Sequence, residues 1–282
     1  MLSLVAMTSN HRTDYRLWLS ISVLILLFVV VPACKSDTVT PAADNNNEET
    51  KDTVAWTFEQ VFPSGDSLEI RADLYMKHPR TAPFIVLFHQ ASWSRGEYQE
   101  IAPKLNALGY NCMAVDQRSG GSVNGVDNIT FKNAETAGKG TDFPDAIQDM
   151  LAAIAYAKKN FAEGQVIIWG SSYSSALVLK IFGDDQSLAD KALSFAPGEY
   201  FVRFGKPADW IGSSAKNIQK PVFITSAKNE RNSWWNIYEG IPSADKTYYL
   251  PDTDGNHGSR ALWERFSDNQ GYWDAVKDFL KD

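Results

Sequence analysis

The chain has 282 residues, 44% of them hydrophobic, and carries 27 Lys and Arg against 34 Asp and Glu, a formal net charge of −7 at pH 7. This acidic balance leaves no basic stripe and excludes nucleic acid as an expected partner. Two cysteines, Cys34 and Cys112, exclude both a disulfide framework and a cysteine-built metal site.

In chain order, His11, Arg12 and Arg16 precede an uncharged run from Leu17 to Val31, about fifteen residues long. That is short of the roughly 20 a bilayer span needs, and basic residues before a short apolar run mark an export signal. The run closes on Val31-Pro32-Ala33-Cys34. These residues resemble the bacterial lipobox, from which Pro32 is a mild departure. The resemblance implies removal of residues 1–33 as a signal peptide and a lipid on Cys34. The product would be exported and held to the membrane of the cell envelope, facing the periplasm or the surface. Residues 34–53 are rich in Asp, Asn, Glu, Thr and Ala. They bring too little apolar surface to offset chain entropy, so a disordered tether is expected, with one folded domain over 54–282.

Within that domain "VAWTFEQV" and "LEIRADLYM" have the alternation of an opening strand pair, and "FIVLFH" is a continuous apolar run suited to a strand buried on both faces. "EYQEIAPKLNALG" has helical spacing, with Pro103 in the first turn, where its missing N–H costs little. "NCMAV" is the next strand, and its Cys112 is read as a small core residue. A polar, glycine-containing stretch, 119–143, reads as a flap or a surface excursion. The helix "DFPDAIQDMLAAIAYAKKN", the strand "QVIIW" and a helix from about Ser172 follow. The strands "KALSFA", "PVFITS" and "KTYYL" then alternate with "SWWNIYEGI" and a closing "YWDAVKDFL". The alternation predicts an α/β fold with a mainly parallel central sheet flanked by helices. Ligands of such sheets sit at the carboxyl ends of the strands. No G-x-G-x-x-G follows the first strands, which disfavours a dinucleotide site.

Gly170-Ser171-Ser172-Tyr173-Ser174 fits the nucleophile-elbow pattern, with Ser in place of the last Gly. The elbow strains the nucleophile's backbone and needs small residues two places to either side. Centring on Ser172 puts Gly170 and Ser174 there; centring on Ser171 puts Trp169 and Tyr173 there, and centring on Ser174 moves the nucleophile into the helix. The competing reading is a polar loop that caps a helix. Of His11, His78, His89 and His257, only His257 lies in a late loop, the place of the base in the chain order Ser, acid, His.

The chain from about residue 54 resembles the α/β-hydrolases, nearest to their dienelactone-hydrolase and prolyl-peptidase-like branches with little or no cap. "LFHQASW", "VDQRSGGS", "IIWGSSYSS" and "DTDGNHG" carry the resemblance, in that order. It implies an oxyanion hole of the Ala91 and Tyr173 backbone amides, although Gln90 stands at the family's Gly and Ser119 where Gly is common in the second landmark. The implied acid follows "PVFITS", where simple counting reaches Asn229, which cannot carry charge. Glu230, one residue on, is the acid taken here, with Glu199, Asp252 and Asp254 as rivals. The reaction implied is attack of Ser172 on an ester or related acyl carbonyl of a small-molecule substrate, with His257 as base and no metal or organic cofactor. Trp93, Trp210, Trp234 and Trp235 either line the site's rim or pack helices onto the sheet. The alternative function is a catalytically silent hydrolase-fold protein that binds ligands at the envelope, to which Gln90 and Asn229 would point.

Overall fold

Phe84–Phe88 is a strand with no exposed residue, and the molecule is layered about it. The computed structural model describes residues 57–281. The signal segment, Cys34 and the tether over 34–53 lie outside the described residues. The chain opens with an antiparallel pair, β1 (Thr57–Pro63) and β2 (Glu69–Tyr75). Then come β3 (Phe84–Phe88), a 3-10 turn at Arg95–Tyr98, α1 (Ile101–Ala107) and β4 (Asn111–Val115). The connection to β7 (Val166–Ser171) carries β5 (Ser122–Val123), β6 (Val126–Asp127), α2 (Ile129–Thr136) and α3 (Ile147–Asn160). Next are α4 (Tyr173–Asp184), β8 (Lys191–Phe195), α5 (Trp210–Ala215) and β9 (Val222–Thr225). The last elements are α6 (Arg231–Gly240), β10 (Lys246–Tyr249) and α7 (Asn269–Lys281).

Eight strands form one sheet in the order β1-β2-β4-β3-β7-β8-β9-β10. β1 with β2 and β2 with β4 pair antiparallel, and every pairing from β4 to β10 is parallel. The alternation of side chains along β3 divides the core. Phe84, Val86 and Phe88 pack with Met150 and Ile154 of α3 and with Leu177 and Phe182 of α4. Ile85 and Leu87 pack with Ile101 and Leu105 of α1 and with Tyr272 and Val276 of α7. Each such buried side chain contributes about 1.5–3 kcal/mol of transfer free energy, which is why a run apolar on both faces sits at the centre. β1, exposed along most of its length, takes the edge.

Parallel pairing gathers the carboxyl ends of β3, β4, β7, β8, β9 and β10 on one edge of the sheet, where the turns after β3, β7 and β9 and the loop after β10 meet. The β8–β9 crossover holds only a 3-10 turn at Val202–Phe204 and α5, and no separate cap domain stands over that edge among the described residues. The stretch 119–143 is more ordered than its composition suggests. It forms the β5–β6 ribbon and α2, and α2 is fastened to β2 by the Arg71 amide, which donates to Thr130 Oγ1 at 2.9 Å.

Candidate active site

Ser172 lies between the last residue of β7 and the first of α4, with φ 58° and ψ −122°. A non-glycine residue in this region carries strain on the order of 1–3 kcal/mol and persists only where its surroundings fix it. Here the Ser172 amide donates to Phe195 O at 2.7 Å, and its carbonyl accepts from the Ser175 amide at 3.0 Å. Gly170 shows how tight the turn is, since a Cβ there would stand 2.5 Å from both Ser174 O and Ser175 Cα. Ser174, at the pattern's other small position, uses its hydroxyl: it accepts from the Ser171 amide at 2.9 Å and lies 2.7 Å from Phe88 O, tying the elbow to β3. The Ser172 side chain is half-buried and caps no helix amide, so the helix-capping reading of this serine does not hold.

His257 sits in the loop after β10, between Gly255 at φ 72° and Gly258 at φ 71°. Its Nδ1 is 2.5 Å from Glu230 Oε1, and both side chains are half-buried. With Nδ1–H donating to the carboxylate, Nε2 is left as an acceptor. The loop is stitched to the elbow, because the Ser259 amide donates to Ser171 Oγ at 2.9 Å. Gly258 is required by the same closeness, as a Cβ there would lie 2.5 Å from Ser171 Oγ and 2.9 Å from Gln90 Oε1. Ser172 Oγ itself is not hydrogen-bonded to His257 in this structure, a contact that often tightens only when substrate binds.

Glu230 ends a 3-10 turn, Lys228–Glu230, that begins just past β9. Its Oε2 accepts the Ala227 amide at 3.1 Å, which turns the carboxylate inward and leaves Asn229 exposed. The rival acids are occupied or turned away. Glu199 accepts the amides of Ile211 at 3.0 Å and Gly212 at 2.8 Å and so holds the start of α5. Asp252 and Asp254 are exposed, and their backbone carbonyls bind Lys228.

The loop after β3 is held by a buried polar frame. The Gln117 amide donates to His89 Nε2 at 3.0 Å, and His89 Nδ1 lies 2.8 Å from Gln90 O. Burial lowers the His89 pKa to about 4, so this imidazole is neutral and structural. Asn128 Nδ2, from the segment 119–143, reaches Trp93 O at 3.1 Å and Gln117 O at 2.9 Å. The amides of Ala91 and Tyr173 have no acceptor among the described residues; for Tyr173 this follows from its place as the first helical residue. Asp116 and Arg118 serve the frame. Asp116 accepts from the Arg95 guanidinium at 2.8 Å, and Arg118 pairs with buried Asp149 at 2.7 Å.

The four singled-out tryptophans divide. Trp234 is fully buried and donates from Nε1 to Ser226 Oγ at 2.8 Å, bracing the turn that carries Glu230. Trp210 packs edge-on to Phe201 at 4.9 Å, and Trp235 lies under Arg231 at 3.5 Å and against Tyr238. Trp93, half-buried on the loop after β3, stacks on Trp263 at 5.3 Å. A cavity of about 500 Å³ lined by Lys191, Pro221, Phe223 and Phe279 opens at the amino ends of β8 and β9, the edge of the sheet away from Ser172. Sequence reasoning missed Glu97 and Ser171, whose carboxylate and hydroxyl meet at 2.7 Å against the elbow. Glu97 reads as one charge among several in a helix-like stretch, and its partner lies 74 positions away, so no local signal marks it.

Comparison with known proteins bears on the fold. Residues 79–201 match the family profile described as serine aminopeptidase, S33. That stretch contains the loop after β3 and the Ser172 elbow and stops short of Glu230 and His257. An esterase from Pyrococcus furiosus superposes with a TM-score of 0.61 at 18% identity, covering 80% of this chain and 91% of that one. A dienelactone hydrolase from Anabaena variabilis does so with a TM-score of 0.60 at 12% identity, covering 80% and 96%. The chain has the α/β-hydrolase fold. Its serine, placed on a strained elbow at the carboxyl edge of the sheet, stands where a serine hydrolase of this fold carries its nucleophile. In sequence, the chain is 28% identical over 130 residues to the quorum-quenching protein AidA of Acinetobacter baumannii, covering 44% of this chain and 40% of that protein. The alignment thus spans less than half of the relative's length.

Proposed function

We propose that the chain is a lipid-anchored serine hydrolase that cleaves a carboxylic ester or a related acyl bond of a small molecule. The observation that carries the reading is Ser172, at φ 58° on an elbow to which the His257 loop is hydrogen-bonded through Ser259 and Ser171, with the His257 imidazole facing a carboxylate. In this reading Ser172 Oγ attacks the carbonyl carbon while His257 Nε2 takes its proton, and Glu230 stabilises the imidazolium at Nδ1. The Ala91 and Tyr173 amides hold the oxyanion of the tetrahedral intermediate. Collapse breaks the bond to the leaving alcohol, which receives the proton from His257, and leaves an acyl-enzyme. Water, deprotonated by the same imidazole, then attacks the acyl carbon and releases the acid and free Ser172.

The esterase and dienelactone-hydrolase structures support an ester as the bond cleaved, and the match to the serine aminopeptidase profile makes peptide amides the second class to assay. The partial match to a quorum-quenching protein adds small signalling molecules to the screen. The anchor rests on the sequence Val31-Pro32-Ala33-Cys34 and places the enzyme in the cell envelope after export. A silent binding protein is the second reading; the missing hydrogen bond between Ser172 and His257, with Gln90 and Asn229 at unusual places, favours it. Hydrolysis of short-chain p-nitrophenyl esters by the full chain in detergent, compared with Ser172→Ala, tests the enzyme. Turnover by the first and none by the second is expected, and equal rates would refute it. Labelling cells with a radioactive fatty acid tests the anchor, which predicts incorporation that Cys34→Ala abolishes.

A further inference from the structure

Against the elbow lies a fully buried carboxylate that the reaction above does not use. Glu97 stands in the 3-10 turn after β3 and has no exposed surface. Its Oε1 accepts from Ser171 Oγ at 2.7 Å and its Oε2 from the Gln90 amide at 2.8 Å. Ser171 Oγ in turn accepts from the Ser259 amide at 2.9 Å, so one carboxylate holds the residue before Ala91, the residue before Ser172 and, through that hydroxyl, the loop of His257. Its backbone is fixed as well, because Trp263 Nε1 donates to Glu97 O at 2.9 Å. The donors Gln90, Ser171 and Ser259 each lie within two positions of a residue assigned above to the nucleophile, the base or the oxyanion hole.

We propose that Glu97 is a positioning residue of this active site, whose ionised carboxylate sets the mutual placement of the oxyanion loop, the elbow and the histidine loop. The inference rests on the serine-hydrolase reading. The Gln90 amide can only donate, so Oε2 must accept, and the Ser171 hydroxyl donates to Oε1; a proton on Oε1 would reverse that bond and force the serine to turn its own hydrogen elsewhere. Burial pushes the Glu97 pKa up to about 7, against the opposing effects of its bonds from Ser171 and Gln90 and of the nearby charges of His257 and Arg260. Tyr98 and Tyr173 also face it, and neither ionises in the working range, since burial raises both far above the usual phenol value. Protonation close to neutrality therefore reverses the bond to Ser171 and removes the charge at the centre of the relay. The relay in the form described here then requires Glu97 to be ionised.

The test uses the full chain in detergent and compares wild type with Glu97→Gln and Ser171→Ala, each checked for folding by circular dichroism. Ester turnover is followed from pH 5 to 9, and adduct formation at Ser172 with a fluorophosphonate probe is mapped. Glu97→Gln is expected to lower kcat by about 10²-fold with KM little changed, the scale of a small misplacement of reacting groups. The acid limb of its log kcat profile should lose the contribution of Glu97 and be shallower than in the wild type. Ser171→Ala breaks the same relay at its midpoint and should lower kcat in the same direction; it decides alone if Glu97→Gln does not fold. Unchanged kcat in a folded variant overturns the proposal, and so does a loss of kcat that leaves the shape of the acid limb unchanged, because a merely structural carboxylate gives that pattern. If the wild type itself neither turns over esters nor forms the adduct, the hydrolase reading fails and this inference falls with it.

Discussion

The proposed nucleophile side of the site and its proposed acid–base side are built differently. Ser172 is held by the interior: its amide is bonded to β8, Gly170 leaves no room for a methyl group, and Ser174 bonds to β3. Glu230 and His257 are half-buried and stand on a short turn and a loop between two glycines. A turn can shift by one residue at small energetic cost, whereas a position inside a close-packed core cannot. The elbow fits its pattern except for Ser174, while the carboxylate that faces His257 belongs to Glu230, one residue past the counted position of Asn229. The family profile stops at residue 201, between these two regions.

The largest expected effect falls on the acid–base side. Glu230→Gln should lower ester kcat by about 10⁴-fold, as the loss of the orienting carboxylate does in other triads. Adding Asn229→Asp should not restore it, because residue 229 points to solvent; recovery within tenfold of wild type would show that the turn rearranges freely. Gly170→Ala probes the rigid side. A methyl group 2.5 Å from backbone atoms should destabilise the fold by about 3 kcal/mol or more in urea unfolding, and a cost under 1 kcal/mol would mean the elbow yields.

His89 gives a comparable effect with a pH signature. Its folded-state pKa of about 4 lies below the usual 6.5, so its contribution is complete above pH 6.5 and is lost as the pH falls through about 4. Burial raises Glu97 to about 7 and Asp116 to about 6, and these act with the opposite sign, favouring the folded state as the pH falls. The difference between wild type and His89→Gln isolates the histidine and should shrink by about 3 kcal/mol between pH 7 and pH 4. The smallest effect is expected for Ser174→Ala, about 1–2 kcal/mol of stability for a lost buried hydroxyl.

The sequence was most legible where local pattern and burial coincide. The apolar runs 84–88, 111–115 and 166–171 are strands because continuous apolar stretches of that length have to be covered on both faces. Ser172 is legible because the elbow demands small residues at fixed offsets. The segment 119–143 was not: β5 and β6 are two residues each, too short for any period, and α2 is fixed by long-range bonds such as that from Arg71 to Thr130. The tryptophans were ambiguous for a related reason. The indole of Trp234 serves the core and that of Trp93 a half-exposed loop, a distinction set by neighbours distant in the chain. Glu97 illustrates the limit, since a carboxylate has meaning only through the donors that surround it.

The central claim is that Ser172 is an activated nucleophile. Exposure of the full chain to a fluorophosphonate, followed by peptide mass mapping, tests it most directly. The account predicts one covalent adduct on Ser172, absent in Ser172→Ala and strongly slowed in His257→Ala. An adduct on Ser171 or Ser174, or a folded protein that takes up no label, would contradict it.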